Sequence, residues 1–239
     1  MIRIEDVTKS FGKLKALDNF SITCTKGECI ALIGPNGSGK TTLIKCILGM
    51  VCPDAGRIYF NDKNIIGDFV YRSNIGYMPQ IGRYPENMTV GQVIDMMRDI
   101  RKNHSLELDN ELYEQFDLSK IINKRMRNLS GGTRQKVSAS LAFMFGAEVI
   151  ILDEPTAGLD PVASEILKAK IIKEKELGKL IFLTSHILSD LDDLVTQIIY
   201  MQDGKLRFHK GIEELKSETG EVKLSKAIAS VMMQNRKDE

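Results

Sequence analysis

The stretch "IALIGPNGSGKTTL", residues 30–43, constrains the fold of this chain more than any other segment. It begins with the apolar run "IALI", which predicts a buried strand. Glycines follow at positions 34, 37 and 39, and "TTLIKCILGMV" then carries apolar residues at helical spacing. A strand, a glycine-rich loop and a helix in this order are typical of α/β folds, in which the helix packs back on the sheet. The sequence therefore predicts an α/β protein.

The loop in this segment has the pattern GxxxxGK[ST], which is typical of phosphate-binding loops. Its glycines let the backbone curl so that N–H groups converge on phosphate oxygens, and the helix start adds partial positive charge. Lys40 would place a full positive charge between the β- and γ-phosphates, and the Thr41 hydroxyl can bind Mg²⁺. The predicted nucleotide-binding residues here are Gly34, Pro35, Asn36, Gly37, Ser38, Gly39, Lys40, Thr41 and Thr42. The alternative is a chance glycine turn before a helix.

Two carboxylates follow an apolar run in "VIILDEP", residues 149–155. In doubly wound sheets, ligands bind beyond the carboxyl ends of the strands, so we expect Asp153 and Glu154 at the ligand edge. Asp153 would hold Mg²⁺, often through water, and Glu154 would act as the general base on the attacking water. The alternative is that these acids only cap the next helix. The phosphate-loop pattern elsewhere in the chain favours the catalytic interpretation.

A second glycine-rich turn, "LSGGT", occupies residues 129–133 and precedes a predicted helix. Adjacent glycines destabilise a helix start, so the close approach of a ligand explains them better than stability does. The Ser130 hydroxyl and the amides of Gly131 and Gly132 would then form a second anion site at a helix N-terminus. The alternative is that Ser130 is only an N-cap.

Composition and charge limit the class of partner. The net charge of +1 across 239 residues gives no reason to expect nucleic acid as a partner. The longest apolar runs, such as "VIIL" and "LIFL", are far shorter than the ~20 residues that span a bilayer. The charged start "MIRIEDVTKSFG" does not resemble a secretory signal peptide, and we therefore expect a cytoplasmic protein.

The periodicity of the remaining chain predicts a helical block inside an α/β pattern. Residues 1–33 favour strands, including a hairpin around "TKGE", and a second hairpin is predicted at Asp203-Gly204. Three helical stretches follow Gln80, namely "TVGQVIDMMRDIRK", "ELDNELYEQFDL" and the segment after "LSGGT". Beyond them, "KLIFLTSH" predicts a buried strand and "ILSDLDDLVTQ" a helix. No linker is evident, so we expect a single domain over residues 1–239.

Six motifs occur in an order that resembles ABC-transporter ATPase subunits. They are "GPNGSGKT", "GYMPQ", "LSGGT", "VIILDEP", "AGLD" and "LTSH", and the resemblance runs from about residue 2 to residue 211. It implies a RecA-like P-loop core at about 1–82 and 146–210, with an N-terminal antiparallel β subdomain. It also implies an inserted α-helical subdomain at about 83–145, and a helical tail is expected at about 211–239. Within the family, the chain looks most like subunits that serve ABC-2-type permeases, and "LSGGTRQKVSA" resembles the ATPase linked to nitrous oxide reductase maturation.

The resemblance also implies roles for single residues. Gln80 would sense the γ-phosphate and Mg²⁺, and His186 would hydrogen-bond the γ-phosphate. Asp160 would contact a partner subunit. Phe11 would stack on adenine, although the family more often has tyrosine there and a simple apolar turn anchor is the alternative. Thr133 likewise replaces the commoner glutamine, while the serine and both glycines of the motif remain.

The family likeness implies ATP and Mg²⁺ as cofactors and two kinds of protein partner. One is a second copy of the chain, because the phosphate loop of one subunit and LSGGT of the other would close on one nucleotide. The other is a separate membrane permease on the inner face of the cell membrane, with the loop that contains Arg83 and Tyr84 as its docking surface. An ABC-type ATPase of iron–sulfur cluster assembly or cell division is the alternative function.

Overall fold

The computed structural model describes residues 1–101, 108–185 and 191–235. The strands in chain order are β1 Ile2–Phe11, β2 Leu14–Cys24, β3 Cys29–Ile33, β4 Ala55–Phe60, β5 Lys63–Asn64, β6 Ile75–Met78, β7 Val149–Asp153, β8 Leu180–Thr184, β9 Gln197–Gln202 and β10 Lys205–Gly211. The α-helices are α1 Lys40–Ile47, α2 Val90–Ile100, α3 Glu111–Gln115, α4 Gly131–Phe143, α5 Pro161–Glu176, α6 Ile212–Thr219 and α7 Leu224–Asn235. Short 3₁₀ helices cover Val70–Asn74, Leu118–Ile121 and Met126–Asn128. The α/β prediction is confirmed.

The described residues form two compact units. The first unit combines Met1–Phe69 with the described part of Phe182–Glu239, and the second is Val70–Ile181. Strand β8 begins in the second unit and ends in the first. The subdomain boundaries expected from the sequence stay a prediction.

An antiparallel sheet in the first unit has the strand order β2-β1-β4-β5. Burial along β2 alternates over most of its length, as expected for a strand with one face on the core and one face on water. The connection from β4 to β5 is Asn61-Asp62, and both residues have positive φ, 47° and 64°. That backbone matches a tight hairpin turn. The predicted N-terminal antiparallel sheet is therefore confirmed.

The first unit also contains three neighbouring strands of another sheet, in the order β10-β9-β3. Strand β3 runs parallel to β9, and all five of its residues are buried. The "TKGE" turn thus leads from β2 in one sheet to β3 in another, and the hairpin predicted there is wrong. The hairpin at Asp203-Gly204 is confirmed, because β9 and β10 pair antiparallel around it.

The second unit combines a parallel strand pair with the helical block. Strand β6 runs parallel to β7, and the first four residues of β7 are buried. Helices α2, α3 and α4 lie between these two strands along the chain. Helix α2 begins with a capping box, in which the Thr89 hydroxyl accepts from Gln92 N–H at 3.2 Å and Gln92 Oε1 accepts from Thr89 N–H at 2.9 Å.

Candidate functional site

The glycine loop between β3 and α1 is shaped by contacts with neighbouring backbone. A Cβ on Gly34 would lie 2.1 Å from the carbonyl oxygen of Met201, and one on Gly39 would lie 2.3 Å from that of Ala16. Both glycines also have positive φ, 149° and 103°. Any side chain at these positions would clash with main chain that cannot move aside. The loop therefore requires glycine at both ends, as the phosphate-loop prediction implies.

Polar groups of the loop are arranged around Lys40. Its Nζ donates to the carbonyl oxygens of Gly34 at 2.7 Å and Pro35 at 3.0 Å, so the ammonium lies over the loop. Ser38 is buried, and its Oγ has no hydrogen-bond partner among the described residues. Within that part of the chain, no side chain caps the N-terminus of α1 either. Backbone donors, a cation and a buried hydroxyl are the groups that hold a phosphate chain.

The remaining loop positions are more accessible. Pro35, Asn36, Gly37 and Thr41 are exposed, and Thr42 is half-buried. Phe11 lies at the end of β1 and is 51% exposed, so one face of its ring can accept a base. Base stacking by Phe11 stays a prediction.

In the second unit, the predicted catalytic and metal-binding residues share one edge of the β6–β7 pair. Met78 is the register partner of Leu152 in two parallel strands. Gln80 lies two residues beyond the first and Glu154 two residues beyond the second, with Asp153 between Leu152 and Glu154. Carboxyl ends of parallel strands meet at the same edge, so the structure brings these three residues to one place.

Glu154 has an unusual backbone. Its φ is 52°, in the left-handed region that non-glycine residues seldom adopt. Such conformations concentrate at functional sites, where the surrounding structure maintains them. Nearby on β6, burial raises the pKa of Tyr77 to about 12, and the charge of Asp153 adds to this effect. Tyr77 is therefore a neutral neighbour of the acidic edge at all physiological pH values.

The "LSGGT" turn begins helix α4. The Ser130 hydroxyl accepts from Thr133 N–H at 3.2 Å and lies 2.8 Å from Thr133 Oγ1. The helix cap considered as the alternative is thus present, and the ligand role of Ser130 stays a prediction. A Cβ on Gly132 would lie 2.6 Å from the carbonyl oxygen of Gly158, whereas one on Gly131 would meet nothing within 4 Å in the part of the chain that the structure describes.

An ion pair joins the same helix to the segment "AGLD". Lys136 Nζ lies 2.7 Å from Asp160 Oδ2, and Asp160 Oδ1 accepts from Ala163 N–H at 2.9 Å to cap α5. The hydrogen bond from Lys136, together with that cap, lowers the pKa of Asp160. The ion pair of Lys136 could not be predicted from the sequence, because no local spacing pairs it with an acid 24 residues further on. His186, the other predicted catalytic residue, lies outside the described residues.

Comparison with known proteins identifies the family of this chain. The profile of the ABC transporter family matches residues 17–157. The xylose/arabinose import ATP-binding protein XylG of Sulfolobus acidocaldarius is 37% identical over 97% of this chain and 96% of its own length. The chain belongs to the ABC transporter family. The Nod factor export ATP-binding protein I of Sinorhizobium fredii is 31% identical over 85% of this chain and 61% of its own length.

Solved structures agree with this assignment at the level of fold. An ATP-binding subunit of an ABC transporter matches with a TM-score of 0.89 over 97% of this chain and 99% of that chain, at 24% identity. An ATP-binding cassette in its ADP conformation matches with a TM-score of 0.74 over 96% and 98%, at 28% identity. The RecA-like core predicted from the sequence is confirmed.

As a member of the ABC transporter family, the chain is an ATP-binding subunit that hydrolyses ATP. The relatives named above include an import and an export protein. The finer likeness to subunits of ABC-2-type permeases or of nitrous oxide reductase maturation stays a prediction. Across residues 1–101, 108–185 and 191–235, no helix is both long and apolar enough to cross a membrane.

The loop predicted as the permease docking surface is only partly exposed in this ABC subunit. Arg83 is exposed, but Tyr84 turns inward and its hydroxyl lies 3.1 Å from Ser138 Oγ on α4. Burial raises the pKa of Tyr84. Gly82 permits this turn, since a Cβ there would lie 2.8 Å from the Tyr84 ring. Arg83 stays a predicted contact, while Tyr84 connects the loop to the LSGGT helix.

Proposed function

We propose that this chain binds ATP with Mg²⁺, pairs with a second copy of itself, and drives a separate membrane permease by ATP hydrolysis. The observation that carries the proposal is the loop after β3. Backbone carbonyls allow only glycine at Gly34 and Gly39, and the Lys40 ammonium lies over the loop. That loop is built to bring main-chain donors and one cation to a polyphosphate.

The proposed chemistry uses the predicted residues in distinct roles. The loop residues Gly34–Thr42 hold the phosphates, Phe11 stacks on the base, and His186 contacts the γ-phosphate. The Thr41 hydroxyl, the Gln80 amide oxygen and the Asp153 carboxylate would hold Mg²⁺. All three are oxygen donors, which Mg²⁺ prefers, and two of them share the β6–β7 edge. The ion would neutralise charge on the phosphates, while Glu154 accepts the proton of the attacking water.

The second glycine turn is proposed to serve the partner subunit. The amides of Gly131 and Gly132 and the Ser130 hydroxyl lie at the start of a helix, where anions bind favourably. Gly131 is exposed, and a Cβ there would meet none of the described atoms within 4 Å, which leaves room for a phosphate chain from outside. Asp160, 51% exposed at its side chain, would contact the same partner. Two copies related by a twofold axis then form two composite sites.

The proposed location follows from the partner. A subunit that drives a permease works at the inner face of the cell membrane, in the cytoplasm. The transported substrate differs among the named relatives, of which one is an import and one an export protein. We therefore propose a transport-coupled ATPase without naming its substrate.

The experiment that tests the chemistry is Glu154→Gln. Loss of the general base should lower phosphate release at least about 100-fold. ATP binding should persist, and ATP-bound dimers should accumulate in size-exclusion chromatography. Glu165→Gln, an acid on α5 whose side chain is 74% exposed, is the matched control and should leave turnover unchanged. Near-normal phosphate release from Glu154→Gln would show that another group acts as the base.

A further inference from the structure

One carboxylate holds the last part of β1. Asp54, which precedes β4, has Oδ1 2.6 Å from Lys9 Nζ, and its Oδ2 accepts from Ser10 N–H at 2.7 Å. The N–H of Asp54 donates to the carbonyl oxygen of Thr8 at 2.8 Å. Three consecutive residues of β1 are thus attached to a single residue, and the next residue in the chain is Phe11.

The strand needs such an attachment at this point. The pairing of β1 with β2 shifts register between Val7 and Lys9 and again between Lys9 and Ser10. Irregular pairing interrupts the hydrogen-bond ladder and leaves that end of a strand less well held. The Lys9 ammonium also lies 5.5 Å from the centroid of the Phe11 ring, within the range of a cation–π contact. Asp54 therefore holds both the backbone before Phe11 and the cation beside its ring.

We infer that Asp54 is a positioning residue for base recognition: it fixes Lys9 and Ser10 so that the Phe11 ring is already placed to stack on adenine. The inference rests on the proposed function, in which Phe11 binds the base. A ring that is fixed before binding loses less conformational freedom when the nucleotide arrives, so affinity rises. Hydrogen bonds to an ionised carboxylate are stronger than neutral ones. The hydrogen bond from Lys9 lowers the pKa of Asp54, which keeps the carboxylate ionised at neutral pH.

The test distinguishes the contribution of the base to binding from that of the phosphates by comparing two ligands. ATP and inorganic tripolyphosphate are titrated into purified wild-type protein and into Asp54→Asn, with binding followed by calorimetry. We expect Asp54→Asn to bind ATP about fivefold more weakly, roughly 1 kcal/mol at 1.4 kcal/mol per tenfold. Its affinity for tripolyphosphate should be unchanged. Asp117→Asn, which removes another exposed aspartate–lysine pair, of 2.8 Å with Lys120, should leave both affinities unchanged.

A double-mutant cycle tests whether Asp54 acts through Phe11. If it does, Asp54→Asn should have no further effect on ATP binding in a Phe11→Ala background. Equal losses for ATP and tripolyphosphate, or additive losses in the double mutant, would overturn the role of Asp54. If Phe11→Ala itself left the preference for ATP over tripolyphosphate intact, base stacking by Phe11 would be wrong, and the role of Asp54 would be overturned with it. The two failures are therefore distinguishable.

Discussion

The two glycines of "LSGGT" differ in what their own chain requires of them. Gly132 packs against the carbonyl oxygen of Gly158, where a Cβ would lie only 2.6 Å away. A Cβ on Gly131 would meet no atom of the described residues within 4 Å. The absence of a side chain at Gly132 is thus needed for packing within the subunit. At Gly131 the described residues give no such packing reason, which agrees with the proposed approach of a ligand.

A pair of alanine substitutions separates the two roles. Gly132→Ala should lower the free energy of unfolding by about 1–3 kcal/mol, because the new methyl group forces main chain apart. Gly131→Ala should change it by no more than about 0.5 kcal/mol, as for other open surface positions. Urea unfolding monitored by circular dichroism measures both. Equal stability of the two variants would mean that the contact with Gly158 is not restrictive.

Single residues also show how much of the candidate site could be predicted from the sequence alone. The motif spacing predicted Lys40, Asp153 and Glu154, because phosphate chemistry needs these groups near a glycine loop and a strand end. The left-handed backbone of Glu154 could not be predicted, since φ there depends on the chain that follows β7. Ser38 was also predicted, but the burial of its hydroxyl could not be, because burial depends on distant segments.

At the scale of elements, a buried lysine attaches α5 to the start of α3. Lys170 is 2% exposed, and its Nζ lies 2.8 Å from Glu111 Oε2 and 2.8 Å from Glu174 Oε1, with Asp109 as a third partner. Burial opposes the charge on Lys170, but hydrogen bonds with the three carboxylates outweigh it and raise the pKa of Lys170. The same lysine lowers the pKa of Glu111. Lys170 therefore stays charged and holds the two helices together.

Lys170→Met should lower the free energy of unfolding by about 3 kcal/mol, because it leaves the buried Glu174 with Lys179 as its remaining ion-pair partner. Lys173→Met is the matched control. Lys173 lies on the same helix and pairs with Glu111, but its side chain is 57% exposed, so the loss should stay below about 1 kcal/mol. Denaturant unfolding at neutral pH measures both, and similar losses for the two variants would contradict a special role for the buried lysine.

Lowering the pH should reduce the difference in the free energy of unfolding between wild type and Lys170→Met. A carboxyl whose pKa is lowered on folding stabilises the protein above its unfolded pKa, and that contribution disappears as pH falls through the folded value. The ordinary pKa of Glu111 is 4.5. Its contribution to the difference in unfolding free energy should therefore decline below that pH. If the difference in unfolding free energy between wild type and Lys170→Met stays constant down to pH 3, the pair with Glu111 does not contribute to stability.

Elements show where sequence patterns succeed and where they fail. The turn at Asp203-Gly204 was predictable because both residues tolerate positive φ, which is 50° and 75° here. The "TKGE" turn carried a similar local signal, yet β3 pairs with β9 rather than with β2. Of the helix predicted over "ILSDLDDLVTQ", residues 187–190 lie outside the described part of the chain, and residues 191–196 form turns and bends. At the "TKGE" turn a strand distant in sequence decided the pairing, and local periodicity does not encode such a partner.

At the scale of the whole molecule, we propose that each ATP is held by Lys40 of one chain and by Ser130–Gly132 of the other. Two single lesions test it. Lys40→Ala removes the phosphate charge. Gly131→Asp places a negative charge where the partner's phosphate must approach, in a position that is open in its own chain. The aspartate should not impair folding, since an acidic side chain at a helix start is stabilising.

The decisive measurement is ATP hydrolysis by purified, differentially tagged heterodimers. A dimer of Lys40→Ala with Gly131→Asp confines both lesions to one composite site and leaves the other site intact. A dimer of the Lys40→Ala/Gly131→Asp double mutant with wild type damages both sites. If the sites are composite, the first dimer hydrolyses ATP faster than the second, while each single-mutant homodimer is inactive. The reverse order, with the double-mutant/wild-type dimer clearly more active, would mean that each chain uses its own "LSGGT". That result would contradict an ATP site shared between two chains.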